Sequence, residues 1–123
     1  MRSRSAQLKV ILLVVGLTLC SVKTWGSDWR EFAQATTGVF FYDKESVNTT
    51  SEGFLRAWIH NTTKNESALI EIDCKEKNYR VLDFVEYDAS NQIKERHLYY
   101  DAPGWQNISQ KTIPEPLHST LCP

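Results

Sequence analysis

Leu69-Ile70-Glu71-Ile72-Asp73-Cys74 alternates apolar and acidic residues with a period of two, the pattern of a β-strand that buries one side and wets the other. Ile70, Ile72 and Cys74 fall on the apolar side, so the cysteine is expected to point into a core, and Glu71 and Asp73 are expected on the wet face. On either side of this stretch, Val39–Tyr42, Phe54–His60, Tyr79–Tyr87 and Ile93–Tyr100 are also rich in β-branched and aromatic residues. Turn-forming residues fill Asp43–Ser46, Asn61–Ser67, Lys75–Asn78 and Asp88–Asn91. Connections this short favour antiparallel neighbours in a meander over parallel strands joined by crossovers.

The C-terminal segment has a different period. Ile113, Leu117 and Leu121 recur at helical spacing, and Thr112 followed by Glu115 has the form of a capping box. Pro116 would remove an amide from such a helix, whereas a start with Pro116 at the first helical position avoids that defect. The expected fold is therefore α+β, a mainly antiparallel sheet with a short amphipathic helix ending near Cys122.

Three cysteines constrain this fold further. Cys20 closes the apolar run 10–19 behind the cations Arg2, Arg4 and Lys9, the layout of a secretory signal. The uncharged stretch 10–22 is short for a bilayer span, which needs about 20 apolar residues. Thr24 and Gly26 place small residues for cleavage before Ser27, giving a signal segment 1–26 and a single domain 27–123. Leu19 occupies the position that a lipoprotein signal reserves for a small residue, so a lipid anchor through Cys20 is not expected. Export leaves Cys74 and Cys122 as a pair in an oxidising compartment, the setting of a structural disulfide that would tether the helix to the sheet.

Removing residues 1–26 takes away four bases and no acids, leaving ten basic against fifteen acidic residues and a formal charge of −5. No broad basic field remains, which argues against a nucleic-acid partner. Nor does any motif call for catalysis, a metal or a cofactor. His60, His97 and His118 form no HExxH pattern or close ligand pair, Glu71, Asp73 and Glu76 lack the spacing of a calcium loop, and Cys74 and Cys122 are far from a CxxC arrangement. A non-enzymatic binding role is expected instead. Lys75, Lys77 and Arg80 flank a turn and could form a small basic contact site, although the simpler reading of that turn is a solvated one. Trp58, Tyr87, Tyr99, Tyr100 and Trp105 exceed what one alternating face needs, so Trp58, Tyr99 and Tyr100 are candidates to meet a partner or a second copy in a homodimer.

The succession Phe40-Phe41-Tyr42-Asp43 with Ser46-Val47, Arg56-Ala57-Trp58-Ile59, Glu71-Ile72-Asp73-Cys74 leading to Tyr79-Arg80, and Trp105 followed by Leu117 and Leu121-Cys122 resembles the bacterial surface-adhesin protein E family. The likeness covers nearly all of residues 27–123. It implies an antiparallel sheet with a disulfide-tethered C-terminal helix, placed in the envelope of a Gram-negative bacterium, with host extracellular-matrix or serum glycoproteins as partners. The alternative is a periplasmic protein that inhibits an enzyme or binds an envelope component. Four asparagines, Asn48, Asn61, Asn65 and Asn107, begin Asn-x-Ser/Thr sequences and are read here as unmodified turn and strand-end residues.

Overall fold

The computed structural model describes residues 27–123; the expected signal segment and Cys20 lie outside the described residues. Eight strands form one antiparallel sheet: β1 (Trp29–Ala35), β2 (Gly38–Asp43), β3 (Asn48–Thr49), β4 (Leu55–Asn61), β5 (Glu66–Asp73), β6 (Asn78–Tyr87), β7 (Ile93–Leu98) and β8 (Gln106–Asn107). The principal order, β1-β2-β4-β5-β6-β7, follows the chain, as the short turns require. The small strands fill gaps at its borders, β3 beside the start of β4 and β8 beside the start of β6. One helix, α1 (Pro114–Leu121), follows.

The alternation in β5 sorts the sheet into two unlike faces. Ile70 stands between Ala57 and Val81, and Ile72 between Leu55 and Tyr79, so an apolar patch runs across β4, β5 and β6. Onto it α1 lowers Leu117, which is fully buried with Ile70, Ile72 and Ile108; Leu121 and both cysteines pack at the margin. Cys74 and Cys122 are bonded, with Cα atoms 5.6 Å apart. His118 adds a second latch, its Nε2 lying 3.1 Å from the Cys74 carbonyl oxygen.

Both prolines sit in the first turn of α1. The first four amides of a helix have no partner within it, so Pro114 and Pro116 lose no helical bond there. Thr112 does not cap this helix: its hydroxyl donates to the Ser109 carbonyl, and Ile113 at the cap position offers no side-chain bond.

Two elements depart from the expected pattern. Strand β1 has its alternation broken by a bulge between Glu31 and Ala33, so Trp29 and Phe32 stand three apart, a spacing that does not read as a strand. Glu71 is 1 % exposed and does not lie on a wet face. The face it occupies is roofed by side chains that arrive from elsewhere in the chain.

At one end of the sheet, Gly38 and Asn61 lock the β1–β2 and β4–β5 turns together. Gly38 has φ +151°, and a Cβ there would stand 2.0 Å from Asn61 Oδ1. That oxygen accepts from the Thr63 and Lys64 amides at 3.0 and 3.3 Å, while Asn61 Nδ2 donates to the Thr37 carbonyl at 3.2 Å. Only seven hydrophobic residues are buried among those described, so this is a thin core, and the covalent tether is expected to carry a large share of the stability. Replacing both cysteines with serine is expected to lower the unfolding free energy by about 4 kcal/mol on the chain-entropy relation for this loop. Urea unfolding measures it, and an unchanged midpoint would refute the structural role of the bond.

Candidate functional site

The face of the sheet opposite α1 carries the polar and aromatic side chains. Arg56, Trp58 and His60 of β4 stand beside Glu71, Leu69 and Ser67 of β5, and Arg80, Asp83 and Val85 of β6 continue the rows. Glu71 lies between two arginines: Arg56 Nε and Arg80 Nε each donate to one of its carboxylate oxygens at 2.7 Å. The Arg80 guanidinium is in turn 4.0 Å from the centroid of the Trp105 ring, which meets Phe54 edge-on at 4.8 Å. A desolvated carboxylate is tolerable only when paired and hydrogen-bonded, and here both oxygens are taken. Asp83, 2 % exposed, repeats the solution one strand pair away, held by both Nε and Nη2 of Arg96.

Between the end of β8 pairing at Tyr79 and the start of β7 pairing at Asp83, the edge of β6 away from β5 has no strand beside it. Segment 99–105 covers this gap. The Tyr99 amide donates to the Leu82 carbonyl at 3.0 Å, and Tyr79, Arg80, Tyr99 and Pro103 line a cleft of about 230 Å³. On the other face, α1 leaves an apolar cavity of about 210 Å³ between its N-terminal end, at Ile113 and Pro114, and Phe40, Ile59, Ala68 and Phe84.

Of the residues singled out from sequence, Arg80 and Tyr99 share the cleft, and Trp58, half-buried, stands on the same open face two residues from Arg56. Lys75 and Lys77 are not part of that group. They lie in the β5–β6 turn, where Lys77, with φ +57°, reaches Glu115 of α1 at 3.4 Å. Tyr100 is 90 % exposed, the most open of the large hydrophobic side chains. His97 stacks on Tyr99 at 6.4 Å at the sheet edge.

Sequence reasoning missed the ionic roof and a cluster at the far end of the open face. There the His60 ring lies 5.9 Å from Trp29 and 6.2 Å from Tyr87, and His60 Nδ1 shares a 2.7 Å hydrogen bond with Ser67 Oγ. No pattern in the chain announces either group, because their members come from five strands and two loops. Among the described residues, no three His, Cys, Asp or Glu side chains are placed to hold a metal ion, and no helix is long and apolar enough to cross a membrane. The sequon asparagines have structural tasks: Asn61 is buried in the turn lock, and the amide nitrogens of Asn48, Asn65 and Asn107 donate to Ser46, Asp88 and Asn78.

The chain matches no family model, no curated protein and no solved structure.

Two expectations follow from this geometry. Changing Arg56 and Arg80 together to methionine leaves Glu71 buried and unpaired, which should cost roughly 3–5 kcal/mol in denaturant unfolding. Glu71→Gln should cost less, since Arg56 is partly open to water; equal losses would mean that the carboxylate is not the buried partner. Burial lowers the His60 pKa from its usual 6.5. A folded state that resists this proton is fully favoured above 6.5 and loses stability as pH falls through the depressed value. His60→Gln should flatten the fall in Tm over that window, and an unaltered pH profile would dismiss His60 as its source.

Proposed function

We propose that this is an exported, non-catalytic binding module, similar in kind to surface-adhesin protein E, that docks an extracellular or envelope protein or glycoprotein through strand β7 and the residues after it. One observation carries the reading. Five large hydrophobic side chains are exposed among the described residues, and four of them, Ile93, Leu98, Tyr99 and Tyr100, belong to this single edge and its continuation. Aromatic side chains concentrated on an exposed patch are the signature of an interface core, and an edge strand offers unpaired amides and carbonyls to an incoming chain. Lys94, Glu95, Arg96 and His97 stand consecutively between Ile93 and Leu98. Charges of both signs discourage indiscriminate edge-to-edge pairing and leave the site to a matched partner.

The likeness in sequence supports the reading from a second direction. Arg56, Glu71, Arg80 and Trp105, drawn from three separate motifs of that likeness, converge on one cluster. This cluster anchors the segment that leads from Tyr99 to Trp105, so the exposed tyrosines emerge from a fixed base. The disulfide is of the kind that oxidising compartments sustain, in keeping with export.

The test is capture of extracellular-matrix and serum glycoproteins by the immobilised domain, run beside protease accessibility on intact and permeabilised source cells. Tyr100→Ala should weaken capture by at least about tenfold, in line with an aromatic hot spot, while leaving Tm unchanged. Capture indifferent to Tyr99 and Tyr100 would remove this edge as the interface. Accessibility only after permeabilisation would assign the partner to the periplasm.

A further inference from the structure

Trp29 is the exposed large hydrophobic residue that the β7 edge does not explain. With His60 and Tyr87 it forms a row of three rings over the far end of the open face. Together with Asn65, Ser67 and Asn91 these rings line a depression of about 280 Å³. Along β6, Tyr87 is seven residues from Arg80, roughly 20 Å at the rise of a strand, so this site is separate from the Arg80–Tyr99 cleft.

Its chemistry is specific. None of the six lining residues is an acid, a lysine or an arginine, and the desolvated His60 disfavours its cationic form. The two asparagines come from different turns, each in the left-handed conformation, with φ +54° at Asn65 and +63° at Asn91. Asn65 Nδ2 spends its two protons on the Asp88 carbonyl, at 3.2 Å, and on Asn91 Oδ1, at 3.0 Å. That pairing fixes both amides and leaves the Asn65 oxygen as an acceptor and the Asn91 nitrogen as a donor, neither with a partner among the described residues. His60 likewise has Nδ1 committed to Ser67 and Nε2 open.

The lining suits a neutral ligand that presents a flat apolar patch to aromatic rings and supplies groups that both donate and accept. An anion would find no cation among the lining side chains, and a purely apolar ligand would strand the two amides. We propose that the depression binds a neutral pyranose sugar. A pyranose ring has a C–H face that lies on Trp29 or Tyr87, and neighbouring hydroxyls that each donate and accept, matching the Asn65 oxygen, the Asn91 nitrogen and His60 Nε2. The volume lies just below the 300–1,000 Å³ of drug-sized sites, which suits one sugar ring and not an oligosaccharide. Affinity in the millimolar range is expected for so small and open a contact. The inference deepens the proposed function, resting on the reading of the domain as a binding module and naming the glycan of a glycoprotein as one of the groups it holds.

The test is an NMR titration of the isotope-labelled domain with methyl galactoside, methyl mannoside and N-acetylglucosamine, with glucuronate as a charged comparator. At least one neutral sugar should shift the Trp29 indole and Asn91 amide signals saturably, and glucuronate should not. Trp29→Ala and Asn91→Gly should each weaken that binding about tenfold or more, equivalent to about 1.4 kcal/mol. Glycine keeps the left-handed backbone at position 91, so that variant removes the amide, and with it one bond that holds Asn65, while the backbone of the turn stays in place. No shifts with any neutral sugar, shifts confined to other residues, or stronger binding of glucuronate would overturn the assignment. Protein capture through Tyr100 is read separately. Sugar binding that persists when capture fails supports this site while counting against the β7 interface; capture without sugar binding overturns the site alone.

Discussion

An eight-residue helix cannot hold itself in place on this sheet. It is about 12 Å long, below the length at which a helix is stable alone in water, and the six principal strands span roughly 24 Å. The Cys74–Cys122 bond removes the problem by fixing the end of α1 to the end of β5, and His118 reaches the Cys74 carbonyl from one turn earlier. With that end pinned, Leu117 falls over Ile70 and Ile72. The arrangement of the apolar face follows from where the tether sits. Close to the bond the patch is sealed, and beyond the N-terminal end of the helix the cavity beside Phe40 and Phe84 remains.

The second face is organised by charge instead of apolar burial. Glu71 and Asp83 have lost nearly all contact with water, a loss that two arginines on Glu71 and one on Asp83 offset, and Trp105 and Phe54 close the roof over Arg80. Such pairs add less to stability than an apolar layer would, but they are selective about geometry, because a shift of one residue in register would strand both carboxylates. This gives the meander a way to define its register on the side that has no helix. It also takes the middle of the open face out of play for a partner. The exposed aromatics are left at its borders, Tyr99 and Tyr100 beside β7 and Trp29 at the far end.

The features legible in the sequence were those whose cause is local. The period-two run through β5 marks Cys74 as inward-facing, the four-residue spacing of Ile113, Leu117 and Leu121 marks the helix, and the short turns mark the strand order. Glu71 shows where local pattern stops. Alternation assigns it to a face, but whether that face is wet depends on Trp105, more than thirty residues away, and on Arg56 in another strand. Strand β1 escaped for a different reason, since its bulge converts a period of two into a spacing of three. His60 forms no motif in the sequence because the rings beside it, Trp29 and Tyr87, lie at long separations in the chain.

Turn chemistry links the fold to both proposed binding surfaces. The β4–β5 turn is held by Asn61 under Gly38, and the β6–β7 turn by Asp88, whose carboxylate accepts from the Ser90 and Gln92 amides. Asn65 then ties one turn to the other through Asp88 and Asn91. Groups restrained in this way lose little freedom when a ligand arrives, so a small, shallow site retains more of its contact energy than mobile loops would allow. The same restraint bears on the β7 edge, because the β6–β7 turn sets where Ile93 begins. Polar residues that look like loop filler, Asn61 and Asn65 among them, thus position an apolar edge and the depression beside Trp29 at once.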